Sequence, residues 1–219
     1  MRVNGFEAII FDMDGVLIDS EPLHFAVLSD LLARVGHTLT RAENEQFIGA
    51  TSDAMFSTLI ARHGLAGTVA EYIACYDEAL LHELQQPHAP APGVTALMAR
   101  LHELGKRLAV ASSSRRAWVD ATIRSLGLAD SFDVVVTGDD VERGKPDPAI
   151  YLLTAQRLGI GPDRCVAIED SPNGVQSARL AGMTVLGVRT EYTAHLHLDG
   201  VARTVDSLAE LDLSGEVFP

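Results

Sequence analysis

Cysteine is scarce in this chain: Cys75 and Cys165 are the only two in 219 residues, and they form no pair or cluster. That excludes a disulfide framework of the kind that holds small secreted domains together. Two buried structural thiols in a reduced, cytoplasmic setting are expected instead. Basic residues are also in short supply, with 17 against 30 acidic ones and a formal charge of −13. A nucleic-acid groove or a contact with an anionic membrane needs clustered Lys and Arg, so neither partner is expected. Any anionic ligand must then find its positive potential locally. No apolar run approaches the length needed to span a bilayer, and Met1-Arg2-Val3-Asn4-Gly5 lacks the apolar region of a signal peptide. There is no internal repeat.

What the chain does have is apolar material, 47% of its residues, enough for one sizeable core and a smaller appended domain. Ala8-Ile9-Ile10-Phe11 reads as a fully buried strand, and Asp12-Met13-Asp14-Gly15 follows it directly. Two carboxylates one residue apart at a strand end repel each other and resist burial, which points to a hard divalent cation bound by oxygen. Gly15 lets the backbone turn and leaves room for close approach. An Asp-rich turn with no further role is the plainer reading of these four residues alone.

From Pro22 the pattern becomes helical, with Phe25, Leu28, Leu31, Leu32 and Val35 forming a stripe that ends at Gly36. Helical patterns continue over Arg41–Phe47, Ser52–His63 and Val69–Leu84, without a strand-like run. Pro87-His88-Ala89-Pro90-Ala91-Pro92-Gly93 then reads as a linker. Residues 20–88 are therefore expected to be an all-helical insert, and residues 1–19 with 89–219 the main domain. From Gly93 onward helices and strands alternate, the strands being Arg107–Ala111, Val134–Val136, Cys165–Ile168 and, last, Thr184–Val188. Each helix stops at a Gly. The pattern predicts an α/β fold: a Rossmann-like parallel sheet with helices on both faces.

In such sheets ligands bind beyond the carboxyl ends of the strands. Those ends carry Asp12 and Asp14, then Ser112 and Ser113, then Glu169 and Asp170, with Lys145 following the third strand in Gly144-Lys145-Pro146-Asp147-Pro148. Carboxylates for a metal together with Ser and Lys for an anion suit a phosphoryl group bridging both. The plainer alternatives are Ser112 as the cap of a helix beginning near Arg115, and Lys145 as a solvated loop residue.

With these four segments in order the chain resembles the haloacid dehalogenase superfamily, and within it the β-phosphoglucomutase-like phosphatases with a helical cap. The motifs are Phe11-Asp12-Met13-Asp14-Gly15-Val16, Ala111-Ser112-Ser113-Ser114, Gly144-Lys145-Pro146-Asp147-Pro148 and Ile168-Glu169-Asp170-Ser171-Pro172-Asn173-Gly174. The resemblance implies Asp12 as nucleophile forming an aspartyl-phosphate, and Asp14 as general acid and base. It implies Mg²⁺ held by Asp12, the carbonyl of Asp14 and Asp170, with Glu169 a further ligand or an acceptor behind the ligands. Ser112, Ser113 and Lys145 would hold the phosphate. His24 resembles a hinge histidine of the mutases, and Thr51 and Ser52 fall in the loop 49–53 that would read the substrate. Arg115, Arg116 and Trp118 read as helix surface.

An aspartate at position 14 favours phosphate esters, since the dehalogenases resembling this chain carry Tyr there and the phosphonate hydrolases Ala. The mutases resembling it place an Arg and a Lys where this chain has Ser52 and Tyr76. The expected activity is hydrolysis of a small phosphorylated metabolite, a sugar phosphate, by a monomer. A β-phosphoglucomutase-type mutase is the second reading, and a non-catalytic binding protein on the same fold a third.

Overall fold

The computed structural model describes residues 5–47, 51–194 and 196–211, and they fall into two compact units: Met1–Asp19 with Pro87–Pro219, and Ser20–Gln86.

The first unit is built on a six-stranded, all-parallel sheet. Its strands are β1 (Ala8–Phe11), β2 (Arg107–Ala111), β3 (Val134–Val136), β4 (Cys165–Glu169), β5 (Thr184–Val188) and β6 (Arg203–Val205), in the order β3-β2-β1-β4-β5-β6. β1 lies in the middle, with Phe11 paired to Val110 on one side and Ile168 on the other. All four β1 residues are fully buried, as a strand covered on both faces requires, and this is why the segment reads as a continuous apolar run. β6 corrects the expectation that Thr184–Val188 closes the sheet, because Arg203 pairs with Leu186 and Val205 with Val188. Arg-Thr-Val is three residues long and half-buried, too short and too polar to announce a strand.

The described helices of this unit are α5 (Val94–Glu103), α6 (Arg116–Ser125), α7 (Ala149–Leu158) and α8 (Pro172–Leu180). α7 packs on β2 and β3, and α8 on β4 and β5. Together they cover the sheet face bearing Ala8, Ile10, Ala109, Ala111, Ala167 and Val185. Small residues on the strands let Tyr151 and Ile150 of α7 come down onto the sheet, where both are fully buried. Alternate residues, Ile9, Phe11, Leu108 and Val110, point to the opposite face and are equally buried.

The second unit contains α1 (Glu21–Ala33), α2 (Arg41–Asn44), α3 (Ser52–His63) and α4 (Val69–Leu84). The helical pattern expected over Arg41–Phe47 divides into α2 and a 3₁₀ turn, Glu45–Phe47. α4 packs on both α1 and α3, and Leu28, Leu32, Phe56, Leu59 and Leu80 are buried among them. Thr68 and Glu71 form a reciprocal capping box that starts α4. Cys75, expected to be buried, is exposed on α4, whereas Cys165 is buried at the start of β4. Helical periodicity alone did not fix which face Cys75 occupies. Among the described residues no helix is long and apolar enough to cross a membrane.

Candidate active site

Parallel strands bring their carboxyl ends to one edge, and the register carries Phe11 level with Val110 and Ile168. Asp12 and Glu169 therefore leave neighbouring strands side by side. Carboxylate oxygens of Asp12, Glu169 and Asp170 all lie within 4.8 Å of one another. Lys145 reaches them from the loop before α7. Its Nζ donates to Asp12 Oδ1 at 2.6 Å, to Glu169 Oε1 at 2.6 Å and to the carbonyl of Ala111 at 3.0 Å. Asp12, Glu169 and Asp170 are buried, so this is a charged cluster with little water.

Glu169 is the most enclosed of the group. Besides Lys145, its Oε1 accepts from the Tyr151 hydroxyl at 2.7 Å. Its Oε2 accepts from the amides of Asp170 (3.2 Å) and Ser171 (3.4 Å) and from Ser171 Oγ (3.1 Å). The space is tight: a Cβ at Gly174 would overlap the Glu169 carboxylate, and one at Gly15 would overlap that of Asp170. Gly15 also has φ +75, a left-handed turn that side chains rarely adopt.

The charges are unbalanced. Burial, with the nearby charges of Glu169 and Asp14, lifts the Asp12 carboxyl to about 7 against the pull of Lys145. Burial, with Asp12 and Glu169 beside it, lifts Asp170 to about 9. Burial opposes the charge of Lys145, but Asp12 and Glu169 outweigh it and hold the ammonium above its ordinary range. Tyr151 is pushed well above its ordinary range by burial and the Glu169 charge, so its hydroxyl stays a donor. An all-oxygen set with more carboxylate than ammonium fits a hard divalent cation, which would offset the repulsion. Asp12 and Asp170 are the residues whose carboxylates are placed to hold it, while the oxygens of Glu169 already serve Lys145, Tyr151 and the turn after β4.

Of the other sequence candidates, Asp14 is half-buried, and its Oδ2 accepts from Ser114 Oγ at 2.9 Å. Ser112 is fully buried and its Oγ accepts from the amide of Ser114 at 3.1 Å. It is not a helix cap, since Arg115 occupies the cap position of α6. Ser113 is exposed. Arg116 donates to the carbonyl of Val135 and to Asp140, which makes it part of the framework. His24, Thr51 and Ser52 belong to the helical unit. His24 Nδ1 lies 2.6 Å from the Tyr76 hydroxyl. Thr51 caps α3 by accepting from the amide of Ala54, and Ser52 is the first residue of that helix. Gly49 and Ala50 of the expected substrate loop lie outside the described residues.

Two contributors, Ser114 and Tyr151, are not singled out by sequence reasoning. Ser114 lies in a run of three serines, and Tyr151 reads as an apolar core position. The available signal was that a buried Tyr needs a partner for its hydroxyl.

Comparison with known proteins agrees with this geometry. A family model described as haloacid dehalogenase-like hydrolase matches residues 9–188. YhcW of Bacillus subtilis (strain 168) is 34% identical over 209 residues, 95% of this chain and 94% of that protein. The phosphorylated carbohydrates phosphatase of Thermotoga maritima is 33% identical over 177 residues, covering 81% and 82%. Among solved structures, a CbbY variant from Rhodobacter sphaeroides in complex with xylulose-(1,5)bisphosphate superposes with TM-score 0.84, 32% identity and coverage of 96% and 98%. The chain belongs to the haloacid dehalogenase-like hydrolases, as a phosphomonoester hydrolase.

Proposed function

We propose that this protein is a Mg²⁺-dependent phosphatase that releases phosphate from a small phosphorylated sugar through an aspartyl-phosphate on Asp12. The observation that carries the reading is Asp12 itself: a buried carboxylate at the end of the central strand, bonded to Lys145 and flanked by Asp170. A carboxylate oxygen of Asp12 attacks phosphorus, and the bond to the ester oxygen breaks. Asp14 gives its proton to the leaving oxygen, then takes one from the water that attacks the phospho-aspartate, so Asp12 and phosphate are both regenerated. Lys145 supplies fixed positive charge for the phosphoryl oxygens, and Glu169 with Tyr151 holds that ammonium in place. A bound Mg²⁺ would supply charge neutralisation between nucleophile and phosphate. Ser114 orients Asp14 through its hydroxyl. The sugar phosphate class is supported by the relative named for phosphorylated carbohydrates and by the bisphosphate sugar in the CbbY complex.

Hydrolysis is preferred to mutase chemistry because Ser52 and Tyr76 provide no cationic clamp for a second phosphate, and the Tyr76 hydroxyl is engaged by His24. The test is phosphate release from a panel of phosphorylated sugars with Mg²⁺, paired with mass measurement of phosphate on Asp12 after acid quench. No release from any member overturns the reading. Efficient formation of glucose 6-phosphate from β-glucose 1-phosphate with catalytic glucose 1,6-bisphosphate would replace it with the mutase.

A further inference from the structure

The helical unit holds a second convergence of ligand atoms that the phosphatase chemistry does not use. His37 lies in the turn after α1, Glu43 in α2 and His63 in the last turn of α3. His37 Nε2 is 3.0 Å from Glu43 Oε2, and His63 Nε2 is 2.5 Å from Glu43 Oε1. All three ligand atoms lie within 4.8 Å of one another. The two imidazole rings lie side by side, centroids 3.8 Å apart and tilted by 34°. Side-chain exposures are 18% for His37, 11% for Glu43 and 24% for His63, sheltered yet open enough to admit an ion. Thr40 caps α2 by accepting from the backbone amide of Glu43.

We propose that His37, Glu43 and His63 form a binding site for a borderline divalent cation of the Zn²⁺ class. Two imidazole nitrogens and one carboxylate oxygen make three of the four corners of a tetrahedral zinc site, with water as the fourth. The donor set separates it from the all-oxygen cluster of the α/β unit, since imidazole suits Zn²⁺, Co²⁺ or Ni²⁺ and carboxylate oxygen suits Mg²⁺. A single cation between the two rings would face both Nε2 atoms and the Glu43 carboxylate at once. Each Nε2 faces a carboxylate oxygen and carries the hydrogen donated to it; on binding, that N–H bond breaks, the proton passes through water to Nδ1 of the same ring, and Nε2 offers its lone pair to the cation. The Arg62 guanidinium also reaches the site, with Nη1 3.5 Å from Glu43 Oε1. It competes with the cation, but it also donates to Gln46 Oε1 at 3.1 Å and has somewhere to go. The bound ion would tie α2, the end of α3 and the turn after α1 to one another.

The test uses the full chain, stripped with chelator and then supplied with excess Mg²⁺ to occupy the oxygen site. Added Co²⁺ should develop the intense visible bands of a tetrahedral nitrogen–oxygen site, Zn²⁺ should displace it as a single equivalent, and Zn²⁺ should raise the melting temperature. His37→Gln and His63→Gln should each weaken Zn²⁺ binding by about 100-fold or more, as loss of a direct ligand exceeds the effect of losing a ligand's support. Absence of the bands, or Zn²⁺ binding untouched by both substitutions, overturns the proposal. If the histidine variants fail to fold, Arg62→Ala decides, because affinity should rise several-fold and an unchanged affinity counts against the site.

Discussion

In the α/β unit Asp12, Glu169 and Asp170 share the single ammonium of Lys145, whereas in the helical unit Glu43 alone faces two imidazoles and the Arg62 guanidinium. Both places shelter carboxylates, and the carboxylates respond in opposite ways. Burial raises all of them, but at the strand ends repulsion adds to burial and Asp12 and Asp170 go up. At Glu43 the hydrogen bonds from His63 and His37 outweigh burial and hold the carboxyl below its ordinary range. The first cluster holds more carboxylate than ammonium, whereas in the second the one carboxylate already sits within hydrogen-bond distance of both imidazoles. An imbalance of that kind favours a bound cation, which supports the chemistry proposed at the strand ends.

The strongest way to break the comparison is to remove the proposed nucleophile. Asp12→Asn should lower turnover by on the order of 10⁴-fold or more while circular dichroism stays native, because an amide cannot form the acyl phosphate. Residual steady-state activity in a clean preparation would take the role from Asp12. Exhaustive chelation should likewise abolish activity, Mg²⁺ should restore it, and Ca²⁺ should not, since its larger and looser shell misplaces the nucleophile. Asp14→Ala should cost about 10²–10⁴-fold in kcat with a much smaller change in KM, measured by steady-state phosphate release.

Stability measurements sharpen the contrast further. In chelator, Asp170→Asn should raise stability by about 1 kcal/mol by relieving repulsion, and Glu43→Gln should lower it by a similar amount. Urea melts of both variants beside the parent would show it, and a loss in Asp170→Asn would mean that its charge is already compensated. The smallest effect is expected at Asp140, a third pattern, where burial is outweighed by bonds from Thr137, Arg157 and Arg116 and the carboxyl falls from 3.8 to about 2. A lowered folded value stabilises the protein above pH ~4, and that contribution disappears as pH falls through about 2. Asp140→Asn should therefore cost about 0.5–1 kcal/mol at neutral pH, with the gap to the parent closing over that acid window.

Much of the active-site reading came from spacing, because β-strand ends have a local signature: an apolar run, then polar residues. Asp12, Asp14, Ser112, Glu169 and Asp170 each follow such a run, and a parallel sheet brings those ends together whatever the intervening sequence. Contacts made across the chain leave no such mark. Tyr151 meets Glu169 only because α7 packs down on small strand residues, and Ser114 meets Asp14 from a different strand end. β6 is fixed by pairing with β5, and its sequence has no pattern of its own. The cluster of His37, Glu43 and His63 is assembled by helix packing and matches no motif spacing. Cys75 shows the same limit, since its exposure depends on which side of α4 meets α1 and α3.

The central position of β1 has a consequence for how the protein is made. Its neighbours β2 and β4 begin at Arg107 and Cys165, so at about 5–20 residues per second the ribosome completes β4's start roughly 8–30 s after Phe11. Throughout that interval this all-apolar strand, with Asp12 at its tip, has no partner on at least one side. A chain interrupted before Glu169 would then carry an unpaired central strand as well as an incomplete set of carboxylates, making it a substrate for chaperones and proteases before it is ever an enzyme.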